Sequence, residues 1–136
     1  MAVVSELLRA EENGSLSFGD YSLSQKSKLE DFKHKGDILK VKTFNEITRL
    51  EKNGMVLYES VPGTAVTGFT EDENGVSFMV EGPEDAQITV GLAEDTGYKV
   101  TAGGEEIGMM KTNLGGKLSF GVELAGRDAV KVEIKK

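Results

Sequence analysis

The side chains able to perform acid–base chemistry in this 136-residue chain are one histidine and 23 acidic residues. His34 lies in the run Lys33-His34-Lys35, which is typical of a solvated basic surface. A general base needs an orienting neighbour and a sheltered site, and this run indicates neither. Because the chain has no cysteine, thiolate catalysis, disulfides and thiolate metal sites are excluded. We predict no catalytic residue, no cofactor and no metal ligand, and hence no enzymatic activity.

Pairs of carboxylates are the one catalytic arrangement that the composition allows, because two of them are enough for a glycosidase. No pair of acidic residues stands in an apolar stretch that would raise a pKa. Residues 70–81 also resemble a calcium-binding EF-hand loop, but Thr70 occupies the position of the first aspartate and the following residues alternate as a strand does. A hairpin turn is the better interpretation of this segment, and a glycosidase ranks as the third candidate function.

Sugar binding without catalysis would use aromatic rings as platforms, and the chain has three tyrosines and no tryptophan. Tyr21, Tyr58 and Tyr98 lie in strand-like stretches, where half-buried packing is the commoner role of a tyrosine. If the three rings share one face of a sheet, they form the candidate ligand-binding site.

The last third of the chain indicates what kind of element positions these residues. In residues 98–136 apolar and polar side chains alternate, which places one set on each face of a strand. Gly103-Gly104 and Gly115-Gly116 lie between the alternating runs, where tight turns need a positive φ. We predict an antiparallel sheet with one face on a core. The predicted core residues here and in the preceding strands are Phe78, Val80, Ile88, Val90, Val100, Leu118, Phe120, Val122, Leu124, Val132 and Ile134.

Three Asn-Gly dipeptides repeat this scheme earlier in the chain. Asn13-Gly14, Asn53-Gly54 and Asn74-Gly75 each precede an alternating run. A type I′ turn needs positive φ at both central residues, which Asn-Gly tolerates best. We therefore predict a tight hairpin turn at each of the three positions.

The remaining segments give less regular patterns. We expect further hairpins around Gly19-Asp20, flanked by Leu16, Phe18, Tyr21 and Leu23, and around Gly36-Asp37 in the lysine-rich segment 26–44. Val61–Thr70 is the least regular stretch and is predicted to be a crossing connection. Residues 1–12 remain open between strand and helix, with a weak preference for strand because an isolated helix of this length is marginal.

These patterns predict an all-β fold, an antiparallel β-sandwich or open barrel built from successive hairpins. The length suits a single domain over residues 1–136. Two subdomains that share a core, residues 1–60 and 61–136, are the alternative.

The charge distribution bears on the partners of the protein. A formal net charge of −7 argues against nucleic acid as a partner. Residues 26–42 hold six lysines against three acids, whereas residues 59–108 hold eleven acids against one lysine. Two solvated faces of one sheet are the plain interpretation, and complementary patches that join copies are the sharper one. Because an all-β chain must pair or protect its edge strands, we predict a homo-oligomer.

The compartment follows from the terminus and from the hydrophobic runs. The first residues, MAVVSELLRAEENG, lack the basic and apolar regions of a signal peptide. No stretch approaches the roughly 18 apolar residues of a membrane span. We predict a cytoplasmic protein with no membrane partner.

Two resemblances to known proteins bear on the predicted fold and function. The turn glycines and core positions of Tyr98-Lys-Val, Gly108, Lys111-Thr112 and the run GKLSFGVEL (116–124) are similar to those ending the β-sandwich modules of bacterial carbohydrate-active enzymes. The whole chain also resembles small bacterial β-proteins that are sometimes labelled endosialidase. Sialidases are six-bladed propellers, and six blades of about 40–50 residues each need roughly twice this length. The label therefore implies no site residue in this chain.

The function predicted from the sequence is a non-enzymatic structural or protein-interaction domain, whose partner is another protein or a second copy. The resemblance to accessory modules implies the second candidate, a carbohydrate-binding accessory module with a glycan as its partner.

Overall fold

A computed structural model describes residues 3–136, and over that range the chain forms thirteen β-strands and no helix. The strands are β1 (Leu8–Ala10), β2 (Leu16–Phe18), β3 (Ser27–His34), β4 (Asp37–Thr43), β5 (Thr48–Lys52), β6 (Met55–Val61), β7 (Ala65–Asp72), β8 (Gly75–Glu81), β9 (Ala86–Gly91), β10 (Gly97–Ala102), β11 (Glu105–Lys111), β12 (Lys117–Val122) and β13 (Val130–Lys135). The all-β fold predicted from the alternating sequence is confirmed.

The strands form two antiparallel sheets that pack face to face as a β-sandwich. The seven-stranded sheet has the order β1-β2-β7-β8-β13-β10-β11, and the six-stranded sheet has the order β12-β9-β6-β5-β4-β3. Strands from both halves of the chain enter each sheet, and one hydrophobic core lies between the sheets. The two halves are therefore interleaved around that core.

The prediction that residues 98–136 form one sheet is wrong for one strand. β10, β11 and β13 lie in the seven-stranded sheet, whereas β12 pairs with β9 of the other sheet, with Phe120 opposite Ile88. Each sheet turns one face towards the shared core, so strands of both sheets carry the same alternation. The pattern alone cannot assign a strand to its sheet.

All three Asn-Gly dipeptides lie at hairpin turns, but only one has positive φ at both residues. Asn53 and Gly54 have φ angles of 52° and 82° and join β5 to β6 directly, as a type I′ turn does. Asn13-Gly14 lies in the longer loop between β1 and β2. Asn74 ends the turn between β7 and β8, so Gly75 is already the first residue of β8.

Three other local predictions are corrected by the structure. The turn between β3 and β4 is Lys35-Gly36, with φ angles of 50° and 83°, so Asp37 begins β4. The connection predicted at Val61–Thr70 is confined to its first residues, because β7 begins at Ala65. The helix alternative for the first twelve residues is wrong over residues 3–12, where β1 is the regular element; residues 1 and 2 lie outside the described range.

The hairpin expected around Gly19-Asp20 does not form either, because Tyr21 and Leu23 are not in a strand. The Asp20 carboxylate accepts a hydrogen bond from the backbone N–H of Ser22 at 3.0 Å, which closes a local turn. The chain then passes from β2 in one sheet to β3 in the other.

The predicted core is confirmed, since all eleven residues named from the sequence are buried, with at most 5% of their surface exposed. Aromatic rings fill the middle of this core. Phe18 packs edge-on against Tyr58, with ring centroids 5.3 Å apart, and Phe78 packs edge-on against the same tyrosine at 5.5 Å.

Candidate functional site

The three tyrosines predicted as ligand-binding residues are inside the sandwich. Tyr21, Tyr58 and Tyr98 are 7%, 0% and 2% exposed. A sugar stacks on the face of a ring that water can reach, and burial leaves these rings no such face. The structure therefore does not bring them together as an exposed platform.

Tyr58 belongs instead to a buried hydroxyl network that the sequence did not indicate. Its hydroxyl lies 2.8 Å from Thr64 Oγ1, which is also 2.8 Å from the hydroxyl of Ser60. Thr48 Oγ1 donates to the carbonyl of Thr64 at 2.8 Å and accepts from its N–H at 3.1 Å. Burial raises the pKa of Tyr58 far above its ordinary value. The network fixes the segment that crosses between the sheets, because every buried hydroxyl in it has a partner.

The other two tyrosines have different surroundings. The hydroxyl of Tyr98 accepts a hydrogen bond from the N–H of Ala93 at 3.3 Å. The hydroxyl of Tyr21 is buried without a hydrogen-bond partner in the described part of the chain. Burial raises the pKa of Tyr21, and the charges of Glu81 and Asp20 raise it further.

The carboxyl groups with a shifted pKa, within residues 3–136, are shifted downwards. The backbone N–H groups of Ala125 and Leu124 lie 3.0 and 2.9 Å from Asp85 Oδ1 and hold its pKa below the ordinary value. Hydrogen bonds lower the pKa values of Glu6 and Glu11 in the same way. A general acid needs a raised pKa. These carboxylates therefore act as hydrogen-bond acceptors for backbone and side-chain donors and are poorly suited to proton transfer.

One end of the sandwich opens into two neighbouring hollows. They have volumes of about 310 and 550 Å³ and share Lys52, Leu57 and Glu71 as lining residues. Lys52 Nζ lies 2.6 Å from Glu71 Oε1, so an ion pair between the two sheets separates the hollows. His34 lines the smaller hollow and lies opposite Asp37 in the β3–β4 register. This end has the size of a small-ligand site, but its bridging charges already neutralise each other.

Ion pairs also change the argument for charge-driven assembly. The acidic region 59–108 has no nearby lysine-rich stretch in sequence, yet the fold supplies cations from within the chain. Arg49 Nη2 lies 2.5 Å from Glu59 Oε1, and Lys52 holds Glu71 as described. The acidic region therefore has intramolecular partners, and the motive for pairing it with the lysines of a second copy is weaker than the sequence indicated.

The edges of the two sheets differ in how they are protected against pairing. β1 has only three residues, and β3 carries Lys28, Lys33 and an irregularity at Asp31, whose φ is 56°. β1 is too short to template a partner strand, and the lysines along β3 discourage association there. The edges at the other side of the sandwich are β11 and β12, with seven and six residues. These are the edges on which a partner strand would find enough length.

β11 presents apolar side chains to solvent along this edge. The register between β10 and β11 slips between Val100 and Thr101, so Ile107 has no partner residue in β10. A bulge re-aims the side chain at which it occurs. Ile107 is 44% exposed and Met109 is 69% exposed, and Leu114 in the following loop is exposed as well. Exposed apolar side chains on an unpaired edge strand favour an interaction surface at this edge.

No protein family model, no curated protein and no solved structure matches this chain. Over residues 3–136, no cluster of three or more histidine or acidic side chains could hold a metal ion. In the same part of the chain, no helix is long and apolar enough to span a membrane.

Proposed function

We propose that the protein is a non-catalytic structural module that self-associates, and that two copies pair through β11. The observation that carries this proposal is the row Glu106, Met109 and Lys111, which lies on one face of β11 and is complementary to itself when the strand is read in the opposite direction. An edge strand with free backbone donors and acceptors is a template for such pairing with another chain. Closed two-fold dimers are also the commonest soluble assemblies.

The complementarity is clearest when two antiparallel copies are centred on Met109. The bulge leaves Ile107 outside the β10–β11 ladder, so Glu106 and Lys111 each lie two ladder positions from Met109, on the same face. Glu106 of one copy then lies opposite Lys111 of the other at both ends of the contact, because the two-fold axis repeats it, and Met109 lies opposite its own counterpart. Opposite charges and apolar pairs directly across an antiparallel ladder each stabilise it by about 0.2–1 kcal/mol.

The free protein loses little when this pairing forms. Lys111 lies 3.0 Å from Asp95 within its own chain, but both side chains are largely exposed. Lys99 and Glu106 form a second exposed pair at 3.4 Å. Exposed ion pairs contribute little to stability, so exchanging them for contacts with a second copy has a small cost. Covering Ile107 and Met109 supplies the apolar contribution.

An edge-to-edge contact of this size is small, so we expect a weak dimer that forms at high protein concentration. Light scattering over a concentration series measures it. The variant Glu106→Lys places two lysines opposite each other, and Lys111→Glu places two glutamates opposite each other. Each change should remove the dimer, because like charges directly opposite destabilise a ladder.

The double variant E106K/K111E restores the charge pairs with their signs reversed and should restore the dimer. Leu114→Ser is the matched control, because it removes an exposed apolar side chain that lies outside the strand. A double variant that stays monomeric, or a loss of the dimer in the control alone, would contradict the pairing through β11.

The proposal that the protein is non-catalytic has its own test. Purified protein should not turn over a panel of aryl glycosides. Turnover that disappears when one carboxylate is changed to its amide would show a glycosidase and overturn this part of the proposal.

A further inference from the structure

We propose that the outer face of the six-stranded sheet binds an acidic polysaccharide along a row of cations. The row is made of Lys28, Lys42 and Arg49, which lie on three neighbouring strands. Lys28 is directly opposite Lys42 in the β3–β4 register, and Lys42 is directly opposite Arg49 in the β4–β5 register. Neighbouring strands lie about 4.8 Å apart, so three positive groups follow one another at short intervals across the sheet.

The row is electrostatically unfavourable in the free protein, because like charges directly opposite destabilise a sheet. Partial burial lowers the pKa of Lys42, and the nearby charges of Arg49, Lys26 and Lys28 lower it further. Glu59 binds Arg49 from the far side of the row. Within the described residues, no ion pair holds Lys28 or Lys42.

The neighbouring row on the same face shows that this sheet accommodates balanced charges. Lys40 lies opposite Glu51 in the β4–β5 register, and its Nζ lies 3.7 Å from Glu30 Oε1 on β3. Glu30, Lys40 and Glu51, which lie two residues from the cation row on the same three strands, therefore alternate in sign. The uniform positive row is a specific feature of Lys28, Lys42 and Arg49 rather than a property of the whole face.

Protection of the sheet edge explains only one of the three cations in the row. Lysines on edge strands discourage pairing with other chains, and Lys28 lies on the edge strand β3. Lys42 and Arg49 lie on β4 and β5, which are paired on both sides. Their charges protect no edge. Glu59 pairs with Arg49, whereas Lys42 has no ion pair within the described residues, so Lys42 is the cation that an anionic ligand would satisfy.

The rest of the face indicates which polyanion fits. The register continues from Arg49 through Glu59 to Thr89 and Ser119, whose hydroxyl oxygens lie 2.7 Å apart. Gln87 lies two residues from Thr89 on the same face of β9. Hydroxyl and amide groups beside cations suit a polymer that carries both hydroxyl and acidic groups. The surface is an open sheet face and not a cleft, which favours an extended chain over a small molecule.

Single-stranded nucleic acid fits this face less well. Proteins that bind it combine cations with aromatic side chains on which successive bases stack. The three tyrosines are buried, and the ring of Phe44 is already covered by Lys26 at 5.9 Å from its centroid. An acidic polysaccharide needs no such platform.

The test uses dextran sulfate as the probe, with neutral dextran and a single-stranded RNA homopolymer as comparisons, in titration calorimetry at low salt. We expect dextran sulfate to bind, and neither the neutral dextran nor the RNA. Lys42→Ser and Lys28→Ser should each weaken it about tenfold, because each removes a charge-assisted contact. Lys40→Ser is the matched control, since it removes a lysine from the same strand and face but from the balanced row, and we expect at most a small change.

A thermal melt adds a readout that does not depend on the ligand. Lys42→Ser should melt at the same temperature as the parent or higher, because it relieves repulsion within the row. The proposal is overturned if dextran sulfate does not bind, or if Lys40→Ser weakens binding as much as Lys42→Ser. Tighter binding of the RNA than of dextran sulfate would overturn the choice of polymer.

Discussion

The hydroxyl group of Tyr58 lies 2.8 Å from the hydroxyl group of Thr64, and this contact joins β6 to the segment that crosses between the sheets. Both residues are fully buried. Ser60 also bonds to Thr64, so a single threonine serves two buried hydroxyl groups. The crossing segment is thereby fixed by polar contacts at a point where the chain leaves one sheet for the other.

Thr64→Val should therefore destabilise the protein although it preserves the shape of the side chain. It leaves the hydroxyls of Tyr58 and Ser60 without their partner, which costs about 1–3 kcal/mol in the free energy of unfolding. Urea denaturation measures this change. Thr89→Val is the control, because Thr89 bonds to Ser119 on the exposed outer face, and it should change the stability by less than about 0.5 kcal/mol. Equal effects of the two variants would contradict the account.

Phe120→Ala tests the assignment of the core. Phe120 is 4% exposed and lies opposite Ile88 on the inner face of the six-stranded sheet. Its removal should cost about 3–5 kcal/mol, as the loss of a buried phenylalanine does. Met109→Ala removes a side chain that is mostly exposed and should leave the melting temperature at low protein concentration nearly unchanged. A parent-like melting curve for Phe120→Ala would place this face outside the core.

How much of this could be predicted from the sequence depends on the range of the interaction concerned. Alternation is a local property, so it was sufficient to predict the strands and the burial of residues such as Phe120. The assignment of β12 to the sheet of β9 depends on a pairing between distant segments, and both sheets carry the same alternation. Only the fold could decide it.

The candidate sites likewise depend on contacts between segments that are distant in the sequence. Lys28, Lys42 and Arg49 are spread over 22 positions of the sequence and form a row only once the strand registers are known. A sheet register that slipped by one residue would turn these side chains to the other face. The self-complementary row Glu106, Met109 and Lys111 depends on the bulge at Ile107, which only the register shows, and nothing in the sequence shows that this strand lies at an edge.

Gly63→Ala tests the close approach of the crossing segment to the loop after β4. A Cβ atom at Gly63 would lie 2.0 Å from the carbonyl oxygen of Phe44, so backbone has to move. Overpacking of this kind costs about 1–3 kcal/mol, which chemical denaturation detects. Gly97→Ala is the matched control, because a Cβ atom there has no neighbour within 4 Å, and the change should be neutral or slightly stabilising. A destabilisation by Gly97→Ala as large as that by Gly63→Ala would contradict this reading.

Asp85 should contribute to the acid sensitivity of the protein. Its pKa is lowered in the folded state by the N–H groups of Ala125 and Leu124, so the ionised form stabilises the fold above the pKa of the unfolded chain. That stabilisation is lost as the pH falls through the lower folded-state pKa. Asp85→Asn should therefore flatten the decline of the melting temperature on acidification. Glu84→Gln, at the neighbouring exposed position, is the control, and an unchanged pH profile for Asp85→Asn would exclude the contribution.

The central claim, that two copies pair through β11, is tested most directly by disulfide trapping, because the chain has no cysteine of its own. Met109→Cys and Ile107→Cys are prepared separately, and each is oxidised under mild conditions. Residues opposite each other across an antiparallel pair have Cβ atoms about 4.5–5.5 Å apart, close to the distance that a disulfide spans. The account predicts that Met109→Cys forms a disulfide-linked dimer with itself, faster than Ile107→Cys does, and that adding Glu106→Lys slows this. No dimer of Met109→Cys, or equally fast trapping of Ile107→Cys with itself, would contradict the pairing.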